Sequence, residues 1–305
     1  MNTRFDEIVL LDGGMGQELT ARSKKPPMPL WSTQVLLDEP ELVEQAHYDF
    51  IMAGARVITL NAYTATPARL ENAGLGAQLE RLQADAIGVA KAAIARSRQT
   101  VRLAGCLPPL IASYRPDLAP DYDECLAQYR TIVALQKDAA DLFLCETMPS
   151  IAEARAACLA ARESGKTVWC AFTVDDADGT KLRSGEALAD GLIAAAEAGA
   201  DVVLVNCSTP EATDAAMPVM VAGPLPFGAY ANGFTTIEPL KSAETVEVLE
   251  ARRDITPDNY AQTALAWVEA GACIVGGCCE IGPGHIAALG QRLRAAGFTP
   301  ANAAA

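Results

Sequence analysis

The chain of 305 residues is poor in histidine, in positive charge and in long apolar runs. Its 24 Lys and Arg residues against 38 Asp and Glu residues give a net charge of −14, which repels phosphate backbones and anionic lipid surfaces. The uncharged run AAMPVMVAGPLPFGAY contains three prolines and two glycines, so it cannot form a membrane-spanning helix. We therefore expect neither a nucleic-acid partner nor a membrane partner.

The sequence also lacks a recognisable secretory signal, because MNTRFDEIVLLDGG passes directly into an apolar strand pattern. This predicts a cytoplasmic protein. In that compartment the nine cysteines are expected to be free thiols or metal ligands rather than a disulfide framework. The only histidines are His47 and His285, which excludes the barrels that bind metals through clusters of histidine. We predict a structural role for His47, on the apolar face of its helix, and for His285, at a helix start.

A repeated phrase indicates the fold. AGARVITLNAY, AGADVVLVNCS and AGACIVGGCC each place a glycine after a helical stretch and before a short apolar strand, which is typical of helix-to-strand junctions. Eight strands are predicted at 8–11, 56–61, 101–106, 141–146, 167–173, 202–206, 225–231 and 272–276. Helical patterns between them fit about 38–51, 75–98, 122–138, 150–164, 186–198, 211–221, 258–270 and 284–296.

Strands this apolar are covered on both faces, which favours a parallel sheet. No Pro-rich or Ser-rich linker divides the chain, so the eight strand–helix units predict a single α/β domain, a (β/α)8 TIM barrel, over residues 1–298. Residues 299–305 are predicted to be a disordered tail. An open doubly wound sheet is the alternative.

Active sites of such barrels lie at the carboxyl ends of the strands, so polar residues at these ends are the candidates. Cys207 follows the sixth predicted strand, and Cys278 and Cys279 follow the eighth. Neighbouring residues of a strand point to opposite faces, so the cysteine pair can converge only where the strand has ended, and the preceding Gly276 and Gly277 permit such a turn. Three thiolates and one open position are typical of a catalytic zinc site, with one ion per chain. The alternatives are a buried pair of small core residues and a redox disulfide between the two neighbours.

Six segments in sequence order resemble the homocysteine S-methyltransferase family: LLDGGMGQEL, PLWSTQVLLDEPELV, ITLNAYTATPARL, LFLCET, VLVNCS and IVGGCCEIGPGHI. The similarity extends over roughly residues 8–290. It implies a zinc-bearing (β/α)8 barrel that methylates the sulfur of homocysteine to give methionine. It also implies that Cys207, Cys278 and Cys279 are the zinc ligands and that Asp12 and Glu146 bind the amino group of homocysteine.

The residues at the strand ends agree with that chemistry. Two carboxylates suit an α-ammonium group, and backbone N–H groups of Gly13 and Gly14 are predicted to bind the α-carboxylate. Without the resemblance, Asp12 is equally explained as a cap and Glu146 as a buried ion-pair partner. Asn206 either orients the substrate or closes its strand. The other cysteines, Cys106, Cys125, Cys145, Cys158, Cys170 and Cys273, are predicted to be small core residues.

The predicted partners are homocysteine and a cationic methyl donor, S-methylmethionine or S-adenosylmethionine. A betaine or dimethylsulfoniopropionate is the alternative donor, and a zinc or redox sensor is the non-enzymatic alternative. GGMG is not a dinucleotide loop because Leu19 stands where the pattern requires glycine, and a phosphate site at the last helix conflicts with Glu280. Glu280 departs from the residues usual after the paired cysteines in the family, and we expect it to contact a cationic donor or an arginine.

Overall fold

The computed structural model describes residues 7–26, 28–242 and 246–301. Its parallel strands follow one another in the order β2-β3-β4-β5-β6-β7-β8-β1-β9, and a parallel bridge between Leu11 and Val57 joins β1 to β2. Eight strands thus form a closed ring, and the predicted barrel is confirmed. The strands are β1 Glu7–Leu10, β2 Val57–Thr59, β3 Arg102–Leu107, β4 Leu142–Met148, β5 Thr167–Phe172, β6 Val202–Asn206, β7 Phe227–Tyr230, β8 Ile274–Val275 and β9 Thr299–Pro300.

Eight helices lie where the sequence predicts them, one after each barrel strand. They are α3 Pro40–Ala53, α5 Leu79–Ser97, α6 Tyr122–Gln136, α7 Ile151–Arg162, α8 Leu188–Glu197, α9 Pro210–Ala222, α10 Pro257–Glu269 and α11 Pro283–Ala295. Three further helices were not predicted, and they lie in the loops that follow β1 and β2. These are α1 Met15–Arg22, α2 Trp31–Asp38 and α4 Pro67–Asn72, each eight residues or fewer.

The repeated AGA phrase marks left-handed turns between helices and strands. Gly54, Gly199 and Gly271 have φ angles of 119°, 95° and 117°, a conformation that residues with a side chain rarely adopt. Each glycine ends a helix and directs the chain into the next buried strand. The repeated phrase therefore accounts for three of the eight helix-to-strand junctions of the barrel.

The core has two layers. Inside the ring, residues such as Leu11, Leu144, Trp169 and Leu204 pack against one another, and a larger cluster fills the space between the strands and the helices. In the described part of the chain, no helix combines the length and the apolar character needed to cross a lipid bilayer.

The carboxyl-terminal segment differs from the predicted tail in its first residues. Thr299 and Pro300 pair with β1 in parallel, and Ala301 is buried. Residues 302–305 of the predicted tail lie outside the described residues. The segment between β7 and α10 contains two short 3₁₀ turns, Glu238–Ser242 and Val246–Val248.

Candidate metal centre and active-site cavity

The cysteine pair lies beyond the end of β8, as the sequence predicts. The strand stops at Val275, and a tight turn follows in which the N–H of Ile281 donates to the carbonyl of Cys278 at 3.1 Å. Glu280 takes the left-handed position of this turn, with φ of 68°. The turn lets two neighbouring cysteines face the same cavity, which a continuing strand forbids.

The two glycines before the cysteines have a different role from the predicted one. Neither Gly276 nor Gly277 has a positive φ angle, so neither acts as a left-handed hinge. A Cβ atom on Gly276 would instead overlap Leu11, and one on Gly277 would overlap the side chain of Ile281. Both glycines are therefore required for close packing, whereas the unusual backbone conformation belongs to Glu280.

Cys207 approaches the pair from the end of β6. Its N–H still pairs with β7, since it donates to the carbonyl of Tyr230 at 3.3 Å, and its φ angle of 50° then turns the chain out of the strand. A disulfide bond joins Cys207 to Cys278, whose Cα atoms are 5.6 Å apart, and Cys279 is a buried free thiol. Cys207 and Cys278 are therefore not free thiols in this structure, and the bonded pair is not the vicinal one, while the prediction that both are metal ligands stays a prediction.

The same three sulfur atoms fit a metal ion once the disulfide is reduced. All three lie within 4.8 Å of one another, and sulfur ligands of one tetrahedral zinc, at ~2.3 Å from the ion, lie about 4 Å apart. Burial and the nearby acids Glu280 and Glu146 raise the pKa of the Cys279 thiol to about 12, so a cation is needed to hold it as thiolate at neutral pH. The donor set therefore suits a soft or borderline divalent metal such as zinc.

Asp12 lies directly after β1, on the wall of the cavity. Its side chain is buried and accepts a hydrogen bond from the N–H of Thr59 at 2.8 Å. Burial, and to a smaller extent the charge of Glu146, raises the pKa of Asp12 to about 8. A cationic ligand beside this buried carboxyl group would therefore favour its ionised form.

Glu146 faces the same cavity from β4. The thiol of Cys106, on β3, donates to its Oε1 at 3.0 Å, and burial raises the pKa of Glu146 to about 7. Cys106 was predicted to be a core residue only. The structure gives it a second role, because it orients the carboxylate that faces the cavity.

Asn206 does not line the cavity. Its Oδ1 accepts from the N–H of Thr147 at 3.0 Å, and its Nδ2 donates to Thr147 Oγ1 at 2.9 Å, with all these atoms buried. Thr147 has φ of 60°, which is costly for a β-branched residue, and the two bonds hold it there. Of the two predicted roles, the structure favours closing the strand: one amide ties the residue after Glu146 to the residue before Cys207.

Gly13 and Gly14 pack against the cysteine turn. The N–H of Gly14 donates to the carbonyl of Ile281 at 2.9 Å, so it is not free for the carboxylate of a ligand. A Cβ atom on Gly13 would overlap that carbonyl, and one on Gly14 would overlap the carbonyl of Cys278. The two glycines therefore let the chain after β1 pack closely against the turn after β8. Of their two N–H groups, that of Gly13 alone is left for the predicted binding of a carboxylate.

One cavity of about 780 Å³ contains most of the predicted site residues. Asp12, Glu146 and the three cysteines line it together. Tyr230, at the end of β7, also lines it, and sequence reasoning missed the aromatic and cationic residues that come from loops: Trp31, Tyr63, Arg69, Tyr114 and Phe234. The hydroxyl of Tyr114 donates to Cys207 Sγ at 3.2 Å, so an aromatic residue supports the sulfur cluster directly.

Glu280 lies outside the residues that line this cavity. Its Oε1 accepts a hydrogen bond from Gln17 Nε2 on α1. Among the described residues, Glu280 therefore pairs with no arginine, and it does not face the cavity, contrary to the expectation from its position.

Both histidines are structural. His285 accepts from the N–H of Gly282 at the start of α11, and its other ring nitrogen lies 3.0 Å from the carbonyl of Ile255. His47 is fully buried, and its ring nitrogens have no hydrogen-bond partner among the described residues. Burial lowers the pKa of His47 to about 4, so it is neutral at physiological pH.

Comparison with known proteins points to the same chemistry. The model of the family described as homocysteine S-methyltransferase matches residues 9–293. The homocysteine S-methyltransferase of Escherichia coli K12 is 33% identical over 309 residues, which cover 94% of this chain and 95% of that protein. The selenocysteine Se-methyltransferase of Brassica oleracea var. italica is 27% identical, over 93% of this chain and 89% of its own.

A solved structure is similar over the same range. The crystal structure of the homocysteine methyltransferase MmuM from Escherichia coli, in its metallated form, superposes with a TM-score of 0.78 at 31% sequence identity. The similarity covers 94% of this chain and 96% of that one. The relatives therefore match the barrel as a whole rather than a fragment of it.

Proposed function

The chain belongs to the homocysteine S-methyltransferase family, and from this premise we propose that it transfers a methyl group from a sulfonium donor to the thiol of homocysteine, giving methionine. S-methylmethionine and S-adenosylmethionine are the donors proposed first, and a betaine or dimethylsulfoniopropionate would undergo the same chemistry. One observation carries the proposal: three cysteine sulfurs and two buried carboxyl groups face one cavity.

Cys207, Cys278 and Cys279 are the proposed zinc ligands, in the reduced protein. When bound, zinc would keep the thiol of homocysteine ionised at neutral pH, although a free thiol has a pKa of about 8.5. The cavity lies on the open side of the sulfur cluster, which leaves room there for the acceptor. Tyr114 donates its hydroxyl proton to Cys207 Sγ and thereby stabilises negative charge on this ligand.

Asp12 and Glu146 are proposed to bind the α-ammonium group of homocysteine. The N–H of Thr59 donates to Asp12 and the thiol of Cys106 donates to Glu146, and each carboxylate has further lone pairs for a cationic ligand. Their raised pKa values mean that an ammonium group favours the ionised carboxylates on binding. The acceptor is thereby held at its sulfur and at its amino group, which aligns it for attack.

The aromatic residues of the cavity suit a cationic donor. A methyl-bearing sulfonium or quaternary ammonium group is attracted to aromatic faces, and Trp31 and Tyr63 form a T-shaped pair with ring centroids 6.1 Å apart. In the transfer, the acceptor sulfur forms the new bond to the methyl carbon, and the electrons of the broken bond stay on the donor heteroatom, which becomes neutral. Because opposite charges merge, an enclosed cavity that excludes water favours the step.

A donor panel tests the proposal. The reduced, zinc-loaded protein is incubated with homocysteine and each of the four donors, and methionine is measured by mass spectrometry. We expect methionine with at least one donor and none with Cys207→Ser prepared in the same way. The absence of methionine with all four donors would contradict the proposed function.

A further inference from the structure

Arg69 is a cation of the cavity wall that lacks an acidic partner. It lies on α4, and its Nη2 donates to the carbonyl of Pro109 at 3.0 Å. Its Nε is buried and has no hydrogen-bond partner, and no carboxylate among the described residues forms an ion pair with it. The guanidinium group also lies 5.6 Å from the ring centroid of Tyr63.

Comparison with Arg183 shows that this is unusual within the same molecule. Arg183 is also buried, and Asp176 accepts two hydrogen bonds from its guanidinium group, at 3.1 and 3.0 Å. The acid that acts on Arg69 through space is Glu153, but the carboxylate of Glu153 already accepts from Leu110 N–H and from Tyr129. A guanidinium group stays charged in proteins, so an unpaired one on a cavity wall is a binding site for an anion.

We propose that Arg69 binds the carboxylate group of the methyl donor and thereby selects a donor that carries one. This inference rests on the proposed function. Arginine is suited to the role because its planar N–H groups match a carboxylate in a bidentate arrangement.

The position of Arg69 favours the donor over the carboxylate of homocysteine. The sulfur cluster lies at the ends of β6 and β8, whereas Arg69 and its contact Pro109 lie in the loops after β2 and β3, across the barrel. The carboxylate of homocysteine shares a carbon atom with the ammonium group assigned to Asp12 and Glu146. That carboxylate is therefore held close to the strand ends, whereas Arg69 lies on α4, in the loop after β2.

In-line transfer agrees with this arrangement. The donor heteroatom, the methyl carbon and the acceptor sulfur must lie in a row, so the donor extends from the acceptor sulfur into the cavity, whose lining includes the loops after β2 and β3. A donor held there has its methyl group directed at the sulfur cluster and its other end near Arg69. The two substrates are thus bound by different charges: homocysteine by acids, the donor by an arginine.

Two matched donors test the inference in wild-type protein and in Arg69→Gln. S-methylmethionine carries a carboxylate, and dimethylpropylsulfonium is a comparable sulfonium without one. We expect Arg69→Gln to raise the KM for S-methylmethionine about 10- to 100-fold, because a charge-assisted bidentate contact is lost. The KM for homocysteine and the kcat/KM for dimethylpropylsulfonium should stay within about twofold, and Arg69→Lys should restore part of the loss.

Arg115→Gln is the control, because Arg115 lines the cavity rim but is paired with Asp117. An equal loss with both donors, a rise in the KM for homocysteine, or no change in Arg69→Gln would each overturn the inference. Calorimetric titration of S-methylmethionine into the zinc-loaded proteins tests the subsite without turnover. If wild-type protein binds this donor, and Arg69→Gln binds it weakly, the inference stands even where no methionine is formed and the proposed function fails.

Discussion

The two sides of the cavity are built on different principles. On the sulfur side, backbone geometry brings the ligands together: Cys207 and Glu280 both have left-handed φ angles, and a disulfide joins Cys207 to Cys278. On the carboxylate side, Asp12 follows β1 and Glu146 lies near the end of β4, where the register to β5 shifts, and burial raises the pKa values of both. The sulfur side therefore depends on local chain conformation, and the carboxylate side depends on the environment of two charges.

Removing a sulfur should have the largest effect. In Cys279→Ser we expect the zinc content to fall from about one ion per chain towards zero and kcat/KM to fall at least about 100-fold, since even residues that merely support metal ligands cost 10- to 100-fold. Metal analysis and methionine formation measure the two effects. Cys273→Ser, at a buried cysteine outside the cluster, is the control and should keep its zinc. A zinc content near one in Cys279→Ser would remove this residue from the ligand set.

Neutralising a carboxylate should weaken binding of the acceptor and leave the metal in place. We expect Glu146→Gln to raise the KM for homocysteine about 10- to 100-fold, because a hydrogen bond between charged groups contributes about 1.5–3 kcal/mol. Zinc content and the KM for the donor should not change. An equal rise in both KM values would show that the two sides of the cavity are not independent.

The dependence on pH separates the two sides further. Because the pKa values of Asp12 and Glu146 are raised to about 8 and about 7, kcat/KM for homocysteine should rise between pH 6 and 8.5 as the carboxylates ionise. The stability of the folded protein should change with pH in the opposite direction and fall as pH rises. The raised pKa of Asp12 stabilises the folded state below the unfolded pKa, near 4, and this contribution is lost as pH rises through about 8.

The substitution Asp12→Asn tests whether the buried Asp12 carboxyl group lowers stability at high pH. We expect the Tm of metal-free Asp12→Asn to exceed that of wild type by about 3 °C or more at pH 8.5, and by much less at pH 5, measured by circular dichroism. A larger gain at pH 5 than at pH 8.5 would contradict the sign.

Of the substitutions considered, Glu280→Gln should have the smallest effect. Glu280 lies in the cysteine turn, but its carboxylate bonds to Gln17 rather than facing the cavity. Glu280→Gln keeps a hydrogen-bonding side chain there, so we expect every donor KM to stay within about twofold. A KM that rises for cationic donors alone would restore the expectation that Glu280 contacts the donor.

The barrel and the strand-end residues were predictable because each rests on local sequence. AGA phrases mark the junctions, and parallel strands bring their carboxyl ends to one face, so Cys207, Cys278 and Cys279 meet. The assignment of Asp12 and Glu146 to an ammonium group came from the family resemblance, because a buried acid at a strand end has several explanations.

The predictions that the structure did not confirm share a physical reason: each depends on which residues a side chain contacts in the folded protein. The oxygen and the nitrogen of the Asn206 side-chain amide are both bonded to Thr147, and Gly276 and Gly277 are needed for close packing rather than for a positive φ angle. Cys106 cannot be recognised as the donor to Glu146 without knowing that β3 and β4 are in register there. Arg69 and most of the aromatic residues of the cavity come from loops, where sequence spacing does not predict the direction in which a side chain points.

The most direct test of the account is a zinc titration of the reduced, metal-free protein, with methionine formation measured at each addition. The account predicts no activity without zinc, a linear rise, and a break at about one ion per chain, with neither rise nor break in Cys207→Ser. Full activity in the metal-free protein, or an activity that does not follow zinc, would contradict the claim that the three cysteines form the catalytic metal centre.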